Sequence, residues 1–200
     1  MTAHSTTPKK FRIAVFASGS GSNAEEIFKY FKNHDTIEVV LLLSNNPNAY
    51  ALERAKNHHI KSVVFNRKEF IEGASILAHL KEAGITHIVL AGFLWLIPPY
   101  LLTTFPDRIV NIHPALLPKY GGKGMYGSNV HAAVKASGEL ESGITIHLVN
   151  EQYDQGRILF QGKCAITEND SPEEIAACVL KLEHEHYPKV IEKWLLGKGQ

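Results

Sequence analysis

Apolar positions along the chain fall into short continuous runs, and the polar stretches between them carry apolar residues at helical spacing. A first run at 11–17 ends in Ser18-Gly19-Ser20-Gly21-Ser22-Asn23, after which Glu25, Ile27, Phe28 and Phe31 fit a helix. Runs at 37–43, 61–65, 86–91 and 108–112 read as strands. The stretch 50–57 reads as a short helix after the Asn45-Asn46-Pro47-Asn48 turn, and 68–83, closed by Gly84, as a longer one. Two late runs, 143–149 and 157–166, are expected to be strands joined by a polar loop and antiparallel to each other. Ser171-Pro172-Glu173-Glu174 opens a last helix with a serine cap, proline in the first position and acids in the first turn. Its apolar stripe runs through Ile175, Val179, Leu182, Val190, Ile191 and Trp194.

Strands alternating with helices need crossover connections, so the pattern predicts an α/β fold with an open, mostly parallel, doubly wound sheet and a late antiparallel strand. No repeat, low-complexity tract or linker marks an internal boundary. One domain over 11–200 is expected, behind a disordered extension at 1–10. Such sheets place ligands at the carboxyl ends of their strands. The glycine loop after the first strand, Gly92 to Pro98 after the fourth and Asn111 to Pro118 after the fifth should therefore meet.

A composition 44% apolar and 20% charged, with a net charge of +1, is that of an ordinary globular domain. The near-neutral charge gives no footprint for a nucleic acid. No apolar run approaches the roughly 18 residues that span a bilayer, and the polar start lacks the apolar core of a secretory signal. A cytoplasmic protein with no membrane partner is expected. Cys164 and Cys178 are the only cysteines, in neither a CxxC pair nor zinc-ligand spacing, and are expected to be free thiols.

Candidate chemistry centres on Asn111-Ile112-His113-Pro114. In an extended chain, side chains two apart share a side, so Asn111 and His113 can address one small volume. The prolines at 114 and 118 prevent a helix and stiffen the segment. The blander reading is a packed histidine at a strand end. The glycine loop formally meets the G-x-G-x-x-A dinucleotide pattern through Gly19, Gly21 and Ala24, but no acid ends the second strand to hold a ribose. What remains is a seat for one phosphate on backbone N–H groups at a helix start, with Gly21, Ser22 and Asn23 as donors. Asp154 stands in a polar loop that local reading takes for a solvated turn, and Glu183 lies beside the buried stripe of the last helix. Other histidines, His184-x-His186 included, read as surface or packing residues, because positions two apart on a helix diverge. No metal is expected.

The segments 11–23 (FRIAVFASGSGSN), 91–94 (AGFL), 111–121 (NIHPALLPKYG) and 143–156 (GITIHLVNEQYDQG), with Glu183-His184, resemble the phosphoribosylglycinamide formyltransferases, in order and over nearly the whole chain. The resemblance implies an enzyme of purine synthesis that moves a formyl group from 10-formyltetrahydrofolate, a co-substrate, to the amine of 5′-phosphoribosylglycinamide (glycinamide ribonucleotide). It implies Gly21, Ser22 and Asn23 at the ribonucleotide phosphate and Glu183 at its glycine amine. Asn111 and His113 would stabilise the oxyanion. Asp154 would raise the imidazole pKa so that His113 works as a cation. Folate contacts would come from Leu94, Trp95, Leu96, Ile97, Asn111 and Lys68. The family usually carries a basic residue where this chain has Trp95, and an arginine where it has Lys68, which keeps the charge without the bidentate fork. A monomer or weak homodimer is expected.

Two alternatives stay open. Methionyl-tRNA formyltransferase and formyltetrahydrofolate hydrolase share the Asn-x-His-Pro signature but carry an extra domain, for which this chain is expected to have no room. A non-catalytic nucleotide-binding module would keep the fold, yet has no need of Asn111, His113 and Asp154 together. The glycine-rich stretch 121–127 reads equally as a lid or a passive loop.

Overall fold

A computed structural model describes residues 10–197. Residues 1–9, most of the expected disordered extension, lie outside that range. The elements in chain order are β1 (Phe11–Phe16), α1 (Ser22–Phe31), β2 (Ile37–Ser44), α2 (Tyr50–Asn57), β3 (Lys61–Val64), α3 (Arg67–Glu72), α4 (Ala74–Glu82), β4 (His87–Leu90), α5 (Pro99–Thr104), β5 (Ile109–His113), α6 (Ser128–Ala136), β6 (Glu141–Leu148), β7 (Ile158–Ala165) and α7 (Pro172–Leu195). One sheet has the order β3-β2-β1-β4-β5-β6-β7. The first five strands in that order are parallel, β6 runs against β5, and β7 against β6. The order turns between β1 and β4, the kind of switch point at which open α/β sheets form crevices.

The expected helix at 68–83 is two helices. Gly73 takes φ 77° and serves as cap to both α3 and α4. A Cβ there would meet the Tyr100 ring at 2.8 Å, so a contact from α5, distant in sequence, sets the break. Asn66 and Glu69 close a capping box at the start of α3. Ser171 and Glu174 do the same for α7, with Pro172 in the first position, as the sequence pattern predicts. The short helices α5 and α6 carry no element in the sequence reading.

Two apolar cores sandwich the sheet. One joins Ile13, Val15, Val110, Ile112, Ile144 and Ile146 to residues of α1, α2, α6 and α7. The other joins Ala14, Phe16, Leu41, Leu43, Ile88, Leu90 and Ile109 to α3, α4 and α5. Strand alternation therefore sends Val110 and Ile112 to the α7 face and Ile109, Asn111 and His113 to the opposite one. On that second face the helical cover reaches Ile109 and goes no further along β5. Polar loops cover the rest. The fully buried Tyr187 of α7 donates its hydroxyl hydrogen to the Leu90 carbonyl (2.8 Å) and also lies 3.3 Å from the Val110 carbonyl, tying the end of β4 and the start of β5 to the helix.

Candidate active site

Loops from the strand ends surround a cleft of about 640 Å³, walled by the glycine loop, residues 90–94, Leu96 and Ile97, Asn111 to Pro114, residues 122–127, His131, His147, residues 152–154, Leu180 and Glu183. The three loops expected to meet do so.

His113 and Thr145 are cross-strand neighbours, as are Asn111 and His147. The Thr145 hydroxyl donates to the Ala115 carbonyl (2.7 Å) and accepts from the Leu117 N–H (3.0 Å), fixing the turn that follows β5. His113 is buried, with Nε2 2.7 Å from the Tyr120 carbonyl and Nδ1 3.6 Å from Asp154 Oδ2. A carbonyl only accepts, so Nε2 carries a hydrogen and Nδ1 is the nitrogen that faces the carboxylate. The same Asp154 Oδ2 accepts from the Gly122 N–H at 2.9 Å. Tyr120 and Asp154, which flank the imidazole, both have left-handed backbones, at φ 57° and 56°.

Asp154 favours the imidazolium, as the resemblance implies, but burial is the larger effect and holds the His113 pKa below its ordinary 6.5. The expectation of a raised pKa is corrected on that ground. The Asp154 carboxyl is itself lowered: burial opposes ionisation, but His147, His113 and the Gly122 N–H together outweigh it.

His147 is the site residue that sequence reading passed over among the packing histidines. Its Nδ1 lies 2.8 Å from the Leu148 carbonyl and so carries a hydrogen. Nε2 lies within hydrogen-bond distance of the Asn111 amide nitrogen, at 3.2 Å, and 3.6 Å from Asp154 Oδ1. The signal was a histidine in period two with the buried positions of a late strand. Its meaning depends on a strand pairing that spacing alone does not give.

Across the cleft, Glu183 is 9% exposed and accepts from the Asn23 amide at 2.7 Å. Burial raises its pKa from 4.5 to about 7, with Asn23 pulling the other way. Gly21, at φ 72°, forms the N-cap of α1, and a Cβ there would lie 2.5 Å from the Ala51 methyl. The N–H groups that follow belong to a first helical turn, which has no internal acceptors for them. Ser18 joins two walls: its N–H donates to the Gly92 carbonyl (3.1 Å) and its hydroxyl accepts from the Leu94 N–H (3.2 Å).

Leu94, Leu96 and Ile97 line the cleft, but Trp95 and Lys68 do not. The Trp95 ring turns into the cluster of Phe65, Phe70 and Phe93, with the Arg67 guanidinium 4.6 Å from its centre. The Lys68 side chain is 80% exposed, 3.8 Å from Glu72 one turn on. Among the described residues no group of three or more His, Cys, Asp and Glu is arranged to hold a metal. No helix among them is long and apolar enough to cross a membrane.

The family model described as formyl transferase matches residues 11–191. A phosphoribosylglycinamide formyltransferase of Bacillus subtilis is 40% identical over 194 residues, covering 94% of this chain and 95% of its own. The chloroplastic enzyme of that name from Arabidopsis thaliana is 44% identical over 92% of this chain, which spans 65% of the plant protein. The crystal structure of a phosphoribosylglycinamide formyltransferase from Bacillus halodurans superposes with a TM-score of 0.83 at 36% identity, over 92% of this chain and 95% of that one.

Proposed function

The chain belongs to the formyl transferase family, and from that premise we propose that it transfers the formyl group of 10-formyltetrahydrofolate to the amine of glycinamide ribonucleotide, giving the formylated ribonucleotide and tetrahydrofolate. The observation that carries this reading is the convergence, in one cleft, of Asn111, His113, His147 and Asp154 with the glycine loop and Glu183. In this proposal the N–H groups of Gly21, Ser22 and Asn23 hold the phosphate. Glu183 receives the glycine amine. Residues Leu94, Leu96 and Ile97 border the folate ring, with Lys68 and Trp95 outside direct reach.

Attack of a neutral amine on the formyl carbon makes a tetrahedral intermediate whose oxygen turns negative. Donors placed in advance for that oxygen are each worth about 3 kcal/mol. The Asn111 amide is one: its hydrogen bond to His147 fixes its rotamer and leaves its second N–H for the oxyanion. His113 is the other, acting as a cation in the transition state rather than at rest. Burial disfavours the charged ring at rest, and Asp154 beside Nδ1 stabilises the positive charge as the imidazole takes up the proton that the amine nitrogen releases on attack. Its Nε2–H must leave the Tyr120 carbonyl to reach the oxyanion, so the 120–127 stretch shifts during turnover. A cytoplasmic location and a donor held without metal are parts of the same proposal.

One assay tests it: purified protein, glycinamide ribonucleotide and a 10-formyl folate, following release of the deformylated folate. Turnover that requires the ribonucleotide is expected. Turnover without it would make the protein a hydrolase, and none at all would leave a binding module.

A further inference from the structure

The glycine loop has its carbonyls held from behind. The Ser18 carbonyl accepts from the Asn46 amide (3.2 Å), that of Gly19 from the Ala51 N–H (3.1 Å), and that of Ser20 from Arg54 Nε (2.9 Å). In a planar trans peptide the N–H of the next residue points opposite to the carbonyl. Each of these bonds therefore aims an N–H, those of Gly19, Ser20 and Gly21, away from the segment 46–54 and toward the cleft that the loop lines. Only the last of the three depends on a charged side chain.

Arg54 is itself fixed on three sides. Its Nη1 pairs with Glu25 in the first turn of α1, its guanidinium lies 4.9 Å from the centre of the Tyr50 ring, and Nε reaches Ser20. It does not line the cleft. One planar fork thus joins α2, the loop and the helix that the loop opens. A lysine, with a single nitrogen, lacks the separate Nε and Nη donors that make both joins.

We propose that Arg54 is a positioning residue for the ribonucleotide, setting the Ser20–Gly21 peptide so that the Gly21 N–H faces the phosphate. This rests on the reading of the glycine loop as the phosphate seat. Arg54 acts through the loop and touches neither substrate. It sharpens ribonucleotide binding and leaves the folate side unaffected.

The test compares wild type, Arg54→Met and Arg54→Lys in steady-state kinetics with each substrate varied, alongside calorimetric binding of inorganic phosphate. Arg54→Met should raise KM for the ribonucleotide about tenfold, the weight of one charge-assisted hydrogen bond. Phosphate binding should weaken in parallel, and KM for the formyl folate should stay within about twofold. Arg54→Lys should keep most of the defect and serves alone if the methionine variant does not fold. Unchanged ribonucleotide KM and phosphate affinity in both variants would overturn the assignment. Full recovery by lysine would overturn it too, because charge without the fork would then suffice. If wild-type protein bound neither the ribonucleotide nor phosphate, the phosphate-seat reading itself would fail, an outcome distinct from equal binding by wild type and variants.

Discussion

At the scale of single residues, His113 is held between two backbones that L-amino acids adopt reluctantly. Tyr120 and Asp154 each sit in the left-handed region, at a cost of about 1–3 kcal/mol per residue. That strain places a carbonyl and a carboxylate against the two ring nitrogens. His113→Ala and Asp154→Asn should each lower kcat by about a hundredfold or more in steady-state assays; a wild-type kcat in either would remove the oxyanion role. Glu183 leads to a prediction in pH. Its folded pKa of about 7 lies above the ordinary 4.5, so the folded protein keeps this proton longer than the unfolded chain. The stability it confers is complete below the ordinary value and is lost as pH rises through the folded one. Urea unfolding of Glu183→Gln across pH about 5 to about 8 should show wild type losing ground to the variant as pH rises. Equal pH dependence in the two would show that Glu183 titrates alike folded and unfolded. Asn111 and His113 were legible from spacing because strand alternation is local. The partnership of Asp154 came from family resemblance, and the histidine that steers Asn111 became visible only when β5 and β6 were seen side by side.

At the scale of elements, the strands were readable because those of a parallel sheet, buried on both faces, appear as continuous apolar runs. The last helix announced itself through Ser171, Pro172 and Glu174. The break at Gly73 did not: glycine is tolerated within a helical pattern, and the Tyr100 ring that settles the matter arrives from α5. The six residues of α5 and the nine of α6 are too few to develop a period against their proline and glycine surroundings. Tyr187 shows how one element organises others. Tyr187→Phe leaves two buried carbonyls without its hydroxyl and should cost about 1–3 kcal/mol in urea denaturation. A smaller loss would mean that β4 and β5 hold together at Leu90 and Val110 without it.

At the scale of the molecule, the site occupies the part of a sheet face where helical cover gives way to loops. Stability and chemistry are thereby divided between two sides of β5: Val110 and Ile112 pack toward α7, while Asn111 and His113 meet polar groups. α7 belongs to both. It buries the apolar side through Ile175, Val179 and Ile191, and its Glu183 reaches the cleft. A growing chain folds from its first-made end, yet α7 follows every strand of the sheet in the sequence. On the ribosome, β5 to β7 would wait with the part of their apolar face that α7 covers exposed, binding a hydrophobic dye or a chaperone, until the helix that also brings the carboxylate has been made. Arrest before Pro172 should therefore give a nascent chain that is at once sticky and inert, and release of the completed helix should end both conditions together.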